Sequence, residues 1–180
     1  MLVLPAAFDT IDQNILLHRL EHAFEITGKA LSWIQPYLSD RDQTVVVNGS
    51  KSGPFRLLYG VPQGSVLGPI VFVLYTKPLD DIFERHSVCH HSFADDTQMQ
   101  NSSFLVQLDT TISAMQECAS EIKSWSTLSR LQMNAGKTEA MIVMSKRTST
   151  SGRIPQSMST GDTDVDFSDL VKNLGVTLEI

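Results

Sequence analysis

Val88-Cys-His-His-Ser-Phe-Ala-Asp-Asp-Thr-Gln-Met-Gln100 decides the fold. Val88 to Phe93 predicts a strand, Ala94 to Asp96 a tight turn, and Thr97 to Gln100 the returning strand. The turn carries two adjacent aspartates, Asp95 and Asp96. Neighbouring carboxylates repel each other, and ionising both is costly unless a cation is shared. Mg²⁺ suits such a pair because it takes oxygen ligands and tolerates an incomplete protein cage that phosphates complete. Two such ions about 4 Å apart could hold both the attacking and the leaving oxygen of a phosphoryl transfer. A plain acidic turn has the same composition, since aspartate is a common turn residue.

Upstream of this hairpin, Met1 to Leu4 predicts a strand. A helix follows from about Asp12 to Phe24, where Ile15, Leu16, Leu20 and Phe24 recur on one face. Asp12 or Thr10 is its expected cap. Lys29 to Leu38 predicts a second helix, expected to break early because of Pro36. Thr44 to Asn48 and Phe55 to Tyr59 predict a hairpin around the loop Asn48 to Gly53, and an apolar helix should run to Lys77, where Pro78 punctuates it. Downstream, Leu105, Leu108, Ile112, Met115, Ala119 and Ile122 mark a helix over about Phe104 to Leu128, capped by Ser102 or Ser103. Ala140 to Met144 predicts a buried strand, 145–169 a flexible loop rich in Ser, Thr, Gly and Asp, and Leu170 to Leu178 a final strand. Strands and helices mix without a strict alternation, which favours α+β over a doubly wound parallel sheet.

The chain has 180 residues, 42% hydrophobic, enough for one domain with a proper core. Its net charge of −6 is the wrong sign for a surface that grips phosphates. Cys89 and Cys118 are expected to be free thiols in a reducing, intracellular setting, nuclear or cytoplasmic. The longest apolar run, Val66 to Tyr75, is about half the roughly 20 residues of a membrane span, and no secretory leader is apparent. His86, Cys89, His90 and His91 fit no common zinc spacing and read as surface and core filling.

Four further stretches accompany the aspartate pair: Ala6-Ala-Phe-Asp-Thr-Ile-Asp12, Gly60-Val-Pro-Gln-Gly-Ser-Val-Leu-Gly-Pro69, Leu131-Gln-Met-Asn-Ala-Gly-Lys-Thr-Glu139 and Lys172-Asn-Leu-Gly-Val176. In this order and spacing they resemble the reverse transcriptase (RNA-directed DNA polymerase) domain of non-LTR, LINE-type retrotransposons, over essentially the whole chain. The resemblance implies one partial domain over 1–180: a palm whose antiparallel sheet has helices on one face, with fingers and thumb largely missing. It implies template-directed nucleotidyl transfer on two Mg²⁺ ions, with an RNA template, a DNA primer and a dNTP as partners. Asp95 and Asp96 would hold the metal, Phe8 would act as a steric gate beneath the incoming sugar, and Gln63 and Gly64 would seat the nucleotide. Lys137 would protonate the leaving pyrophosphate. Leu174, Gly175 and Val176 would position the primer end.

One departure dominates. The family's third carboxylate lies five residues before the gate position, and here that residue is Val3. Valine offers no oxygen to a metal, so the copy is expected to be inactive. Asp9 could substitute if the alignment slips, but it adjoins the gate and would point to the other side of the strand. Pro5, Pro36 and the polar His90-His-Ser92 also depart from the family pattern. The alternatives to a polymerase are a non-catalytic nucleic-acid-binding remnant and a protein-interaction module.

Overall fold

The computed structural model describes residues 2–3, 7–62, 64–145 and 154–179. The chain divides into two compact units, 6–77 with 129–131, and 1–5 with 78–128 and 132–180. Strand β1 (Leu2–Val3) opens the chain and belongs to the second of these.

The first unit begins with a short helix, α1 (Ala7–Thr10), so Asp9 lies on a helix and not on a strand. Asp12 then caps α2 (Gln13–His22): its carboxylate accepts from the Asn14 and Ile15 N–H groups at 2.9 and 3.1 Å. Such a cap contributes about 1 kcal/mol. Helix α3 (Gly28–Leu38) runs through Pro36 instead of breaking early, because the proline sits in its last turn. The Ser39 N–H still donates to Gln35 O at 3.0 Å, closing that turn behind the ring. The hairpin is longer and tighter than expected. Strand β2 (Arg41–Gln43) pairs with β5 (Phe55–Leu57), and β3 (Val46–Val47) pairs with β4 (Ser50–Lys51). Asn48 and Gly49 form the turn, at φ +49° and +81°, as an Asn-Gly two-residue connection prefers.

Helix α4 (Gly68–Thr76) buries Val71, Phe72 and Tyr75 and packs against α2, which buries Leu16 and Leu20. The Tyr75 hydroxyl donates to Ser129 O at 2.5 Å. Arg19 lies over the Tyr75 ring, 4.5 Å from its centre, and donates to Ser129 Oγ at 2.7 Å and to Tyr75 O. Burial lowers the Arg19 pKa and raises that of Tyr75, so the pair keeps one charge that is hydrogen-bonded and stacked.

The second unit contains a helix that the sequence reading left out, α5 (Pro78–Arg85). Pro78 is its first residue, where a missing N–H costs nothing. Asp80 and Asp81 in the first turn and Arg85 in the last complement the helix dipole. Strands β6 (Cys89–Phe93) and β7 (Asp96–Gln100) form the expected hairpin, and β1 pairs with the other side of β7 to complete an antiparallel sheet of order β1-β7-β6. Leu105–Gln107 make a 3₁₀ turn that leads into α6 (Leu108–Leu128), with no side-chain cap from Ser102 or Ser103. Leu79, Ile82, Phe83, Val88, Cys118 and Ile122 form the core, flanked by Met99, Met115, Trp125 and Met133. Burial holds the Cys118 thiol protonated, its pKa pushed up to about 11, whereas Cys89 is exposed.

Three expectations for the C-terminal third need correction. Ala140 to Met144 form no strand: only Ala140 bridges Phe167, and Val143 is exposed. Of the loop expected over 145–169, residues 146–153 lie outside the described residues. The remainder contains a hairpin, β8 (Ser157–Ser159) with β9 (Asp164–Asp166), that buries Met158 and Val165. The single strand expected over Leu170 to Leu178 is instead a hairpin, β10 (Leu170–Asn173) with β11 (Val176–Glu179). It turns at Leu174 and Gly175, both at positive φ.

Two histidines of the second unit, His86 and His90, have protein partners, and His91 is exposed. His90 Nε2 lies 3.0 Å from an Asp80 carboxylate oxygen, and its ring stacks on Phe83. His86 Nε2 lies 2.7 Å from Glu121 Oε2, and Arg85 donates to Oε1 of the same carboxylate. These bonds, first from His86 and then from Arg85, hold the Glu121 carboxyl below its ordinary range. A carboxyl depressed in the folded state adds stability that is full above its unfolded value, about pH 4.3, and is lost as pH falls through the folded value. Glu121 is partly exposed, so the contribution is a few tenths to 1 kcal/mol. Glu121→Gln is therefore expected to lower the melting temperature slightly at pH 6–7 and not at pH 3. An equal loss at both pH values would rule out the ionic origin.

Candidate active site

The two expected aspartates stand at the β6–β7 turn of the second unit. Phe93 pairs with Asp96, so Ala94 and Asp95 form a two-residue turn. Ala94 has φ +52°, a conformation that costs a non-glycine residue of order 1–3 kcal/mol and that clusters at functional turns. Asp95 and Asp96 are half-buried, and no side chain among the described residues donates to either. Among the described residues, no Lys, Arg or His forms an ion pair with either carboxylate.

On the other side of β7, Val3 is the register partner of Asp96, and Leu2 that of Thr97. Ala135–Lys137 form a 3₁₀ turn that packs against β1 and leaves Lys137 exposed. The second unit therefore assembles Val3, Asp95, Asp96 and the Lys137 turn around one end of a three-stranded sheet. Among the described residues, no three His, Cys, Asp or Glu come together as a metal-ligating group. Asp95 and Asp96 are the two carboxylates this turn offers to a cation.

The first unit holds the other predicted residues. The Phe8 ring is partly exposed and stacks on Phe72 with centres 4.7 Å apart. Its carbonyl accepts from the Val61 N–H at 2.9 Å, and Ile11 O accepts from the Gly60 N–H at 2.8 Å. The Gly60–Val61 backbone is thereby clipped to the segment that carries Phe8. Gly60 has φ +79°, and a Cβ there would lie 2.8 Å from Asp9 O. Gly64 has φ +76° and is exposed, and a Cβ there would meet nothing within 4 Å. The space over Gly64 is open to a ligand. Gln63 lies outside the described residues. Asp9 belongs to α1 and not to a strand, so its separation from the Phe8 ring follows helical spacing.

The sequence reading missed three residues that shape this loop: Tyr37, Arg41 and Ser65. Ser65 lies inside a quoted motif and could have been noticed. Tyr37 and Arg41 act across long sequence separations and left no local signal.

Residues 1–178 match the family model of the reverse transcriptase (RNA-dependent DNA polymerase). The chain belongs to this family. Among curated relatives, the reverse transcriptase chain is 28% identical over 179 residues to the RNA-directed DNA polymerase from mobile element jockey of Drosophila melanogaster, covering 96% of the chain and 18% of that relative. It is 28% identical over 137 residues to a probable RNA-directed DNA polymerase from transposon BS of the same fly, covering 73% of the chain and 15% of the relative. The jockey polymerase of Drosophila funebris is 26% identical over 136 residues. The chain thus spans less than a fifth of the length of these relatives. The mixture of helices with small antiparallel sheets fits an α+β reverse transcriptase fragment. No helix among the described residues is long and apolar enough to cross a membrane.

Proposed function

We propose that this chain is the palm-containing part of a LINE-type retrotransposon RNA-directed DNA polymerase, and that its nucleotidyl-transfer centre is inactive. The observation that carries this reading is the register of β1 on β7, which sets Val3 directly across from Asp96. Positions directly opposite in an antiparallel pair have their Cβ atoms about 4.5–5.5 Å apart. A carboxylate at position 3 would therefore be placed to share a cation with Asp96, and valine cannot.

In an intact relative, a primer 3′-hydroxyl attacks the α-phosphate of a dNTP opposite an RNA template, and two Mg²⁺ ions stabilise the charge that develops. The roles open to this chain's own residues are seating the nucleotide and, for Lys137, donating a proton. Phe8, backed by Phe72, presents a rigid ring edge suited to selecting the sugar. Gly64 offers a bare backbone for close approach, and Gln63, its neighbour in sequence, would contact the same nucleotide. Lys137, which is exposed, would be the general acid for the leaving phosphate. Charge stabilisation is the main device of phosphoryl transfer, so losing one metal carboxylate lowers the rate by orders of magnitude.

In a primer-extension assay with an RNA template, dNTPs and Mg²⁺ or Mn²⁺, the chain is expected to give no product above an Asp95→Ala control. Template-dependent extension that disappears in Asp95→Ala would refute the inactivity. Weak, steeply salt-dependent binding of the template without extension fits a remnant that retains only backbone contacts.

A further inference from the structure

We propose that Tyr37 and Arg41 are positioning residues that brace the Gly60–Gly68 loop from both ends and so hold Gly64 open to a nucleotide. This inference rests on the reading above that the turn seats a nucleotide.

The brace has two anchoring side chains at the end of α3, Arg41, which acts directly, and Tyr37, which acts through Ser65 of the loop. Arg41 Nε donates to Leu38 O at 2.9 Å, which ties its guanidinium to the helix terminus. Its Nη2 then donates to Tyr59 O at 3.2 Å and to Gly60 O, where the loop begins. Gly60 O also accepts from Gln13 Nε2 at 3.5 Å. A planar guanidinium can serve three carbonyls at fixed angles, whereas an ammonium is a point donor that cannot span them.

The second anchor acts through Ser65. Its Oγ accepts from the Gly68 N–H at 3.1 Å and donates to Pro62 O at 2.6 Å. A hydroxyl has one proton, so with Pro62 receiving it, the Tyr37 phenol must be the donor in the 2.5 Å bond to Ser65 Oγ. The Ser65 N–H closes the turn onto Pro62 O at 3.3 Å. Between the anchors, Gly64 has open space above it. The loop is therefore fixed at both ends and empty in the middle, the arrangement of a preorganised seat.

Residue-resolved hydrogen exchange and binding of a fluorescently labelled dATP with Mn²⁺ test this on the chain as it stands, with Arg41→Lys and Tyr37→Phe. Both variants keep the bulk of the side chain. Each is expected to speed exchange at the Val61, Ser65 or Gly68 amides by at least ~tenfold while α2 and α4 keep their rates, as for a local opening. The Kd for the labelled dATP should rise ~threefold or more. Unchanged loop exchange, or acceleration spread evenly over α2 and α4, overturns the brace. Failure of the unsubstituted chain to bind the labelled dATP overturns the nucleotide-seat reading instead, and the exchange result still decides the brace.

Discussion

Replacing Val3 by aspartate is expected to raise the affinity for Mn²⁺ by at least ~tenfold in a calorimetric titration, a gain of about 1.4 kcal/mol. Hard-cation sites tune their affinity by the number of charged oxygen ligands. Asp95 and Asp96 already supply two carboxylates that no described Lys, Arg or His pairs with, and β1 sets position 3 across from Asp96. A third carboxylate without metal would add repulsion at a strained turn. Val3→Asp should therefore also melt at a lower temperature in chelator and recover in Mn²⁺. Val3→Asn separates charge from polarity, since it is nearly isosteric with aspartate and neutral, and it should give no gain. Asp96→Asn in the Val3→Asp background should return the affinity to that of the unsubstituted chain. Equal gains from aspartate and asparagine would mean that the register does not join position 3 to the aspartate turn.

Gly60→Ala is expected to cost about 3 kcal/mol or more, against about 1–2 kcal/mol for Gly64→Ala. Both residues have positive φ, so both alanines are strained. Only at Gly60 does the added carbon also meet backbone, Asp9 O at 2.8 Å, Asp9 Cα at 2.9 Å and Phe8 O at 3.0 Å. Backbone cannot swing aside like a side-chain tip. Relief requires the loop to lift, breaking the Gly60 N–H and Val61 N–H bonds to Ile11 O and Phe8 O. Urea melts followed by tryptophan fluorescence will show the difference. A loss of this size is a large part of the 5–15 kcal/mol that holds a typical domain. If Gly60→Ala costs no more than Gly64→Ala, the close approach to the Phe8 segment is wrong.

Local chemistry made much of the fold legible. The aspartate hairpin, the Asp12 cap and the stripe of α6 all rest on signals within a few residues. The Asn48–Gly49 turn was equally local, yet it was read as the start of a longer loop. Helix α5 was missed because Pro78 was taken as a stop, although proline is equally suited to the first position of a new helix. Ala140 to Met144 has the composition of a strand, but strand pairing depends on distant partners, and only Ala140 finds one. The Leu174–Gly175 turn was hidden inside an apolar stretch, since leucine rarely adopts positive φ. Candidate site residues were legible through the family pattern and not through composition, whose acidic balance pointed away from nucleic acid. Tyr37 and Arg41 escaped notice because a brace is a property of the folded chain.

The covalent path crosses between the two units four times, after residues 5, 77, 128 and 131. Strand β1, the partner of the aspartate strand, is thus separated in sequence by more than seventy residues from the rest of its unit. Excising 78–180 as a segment would strip β7 of one flank and leave Asp96 on a bare sheet edge. Tolerant insertion points should therefore be sought at hairpin tips such as Asn48–Gly49, not at the crossings, where a cut severs the threading that builds both units.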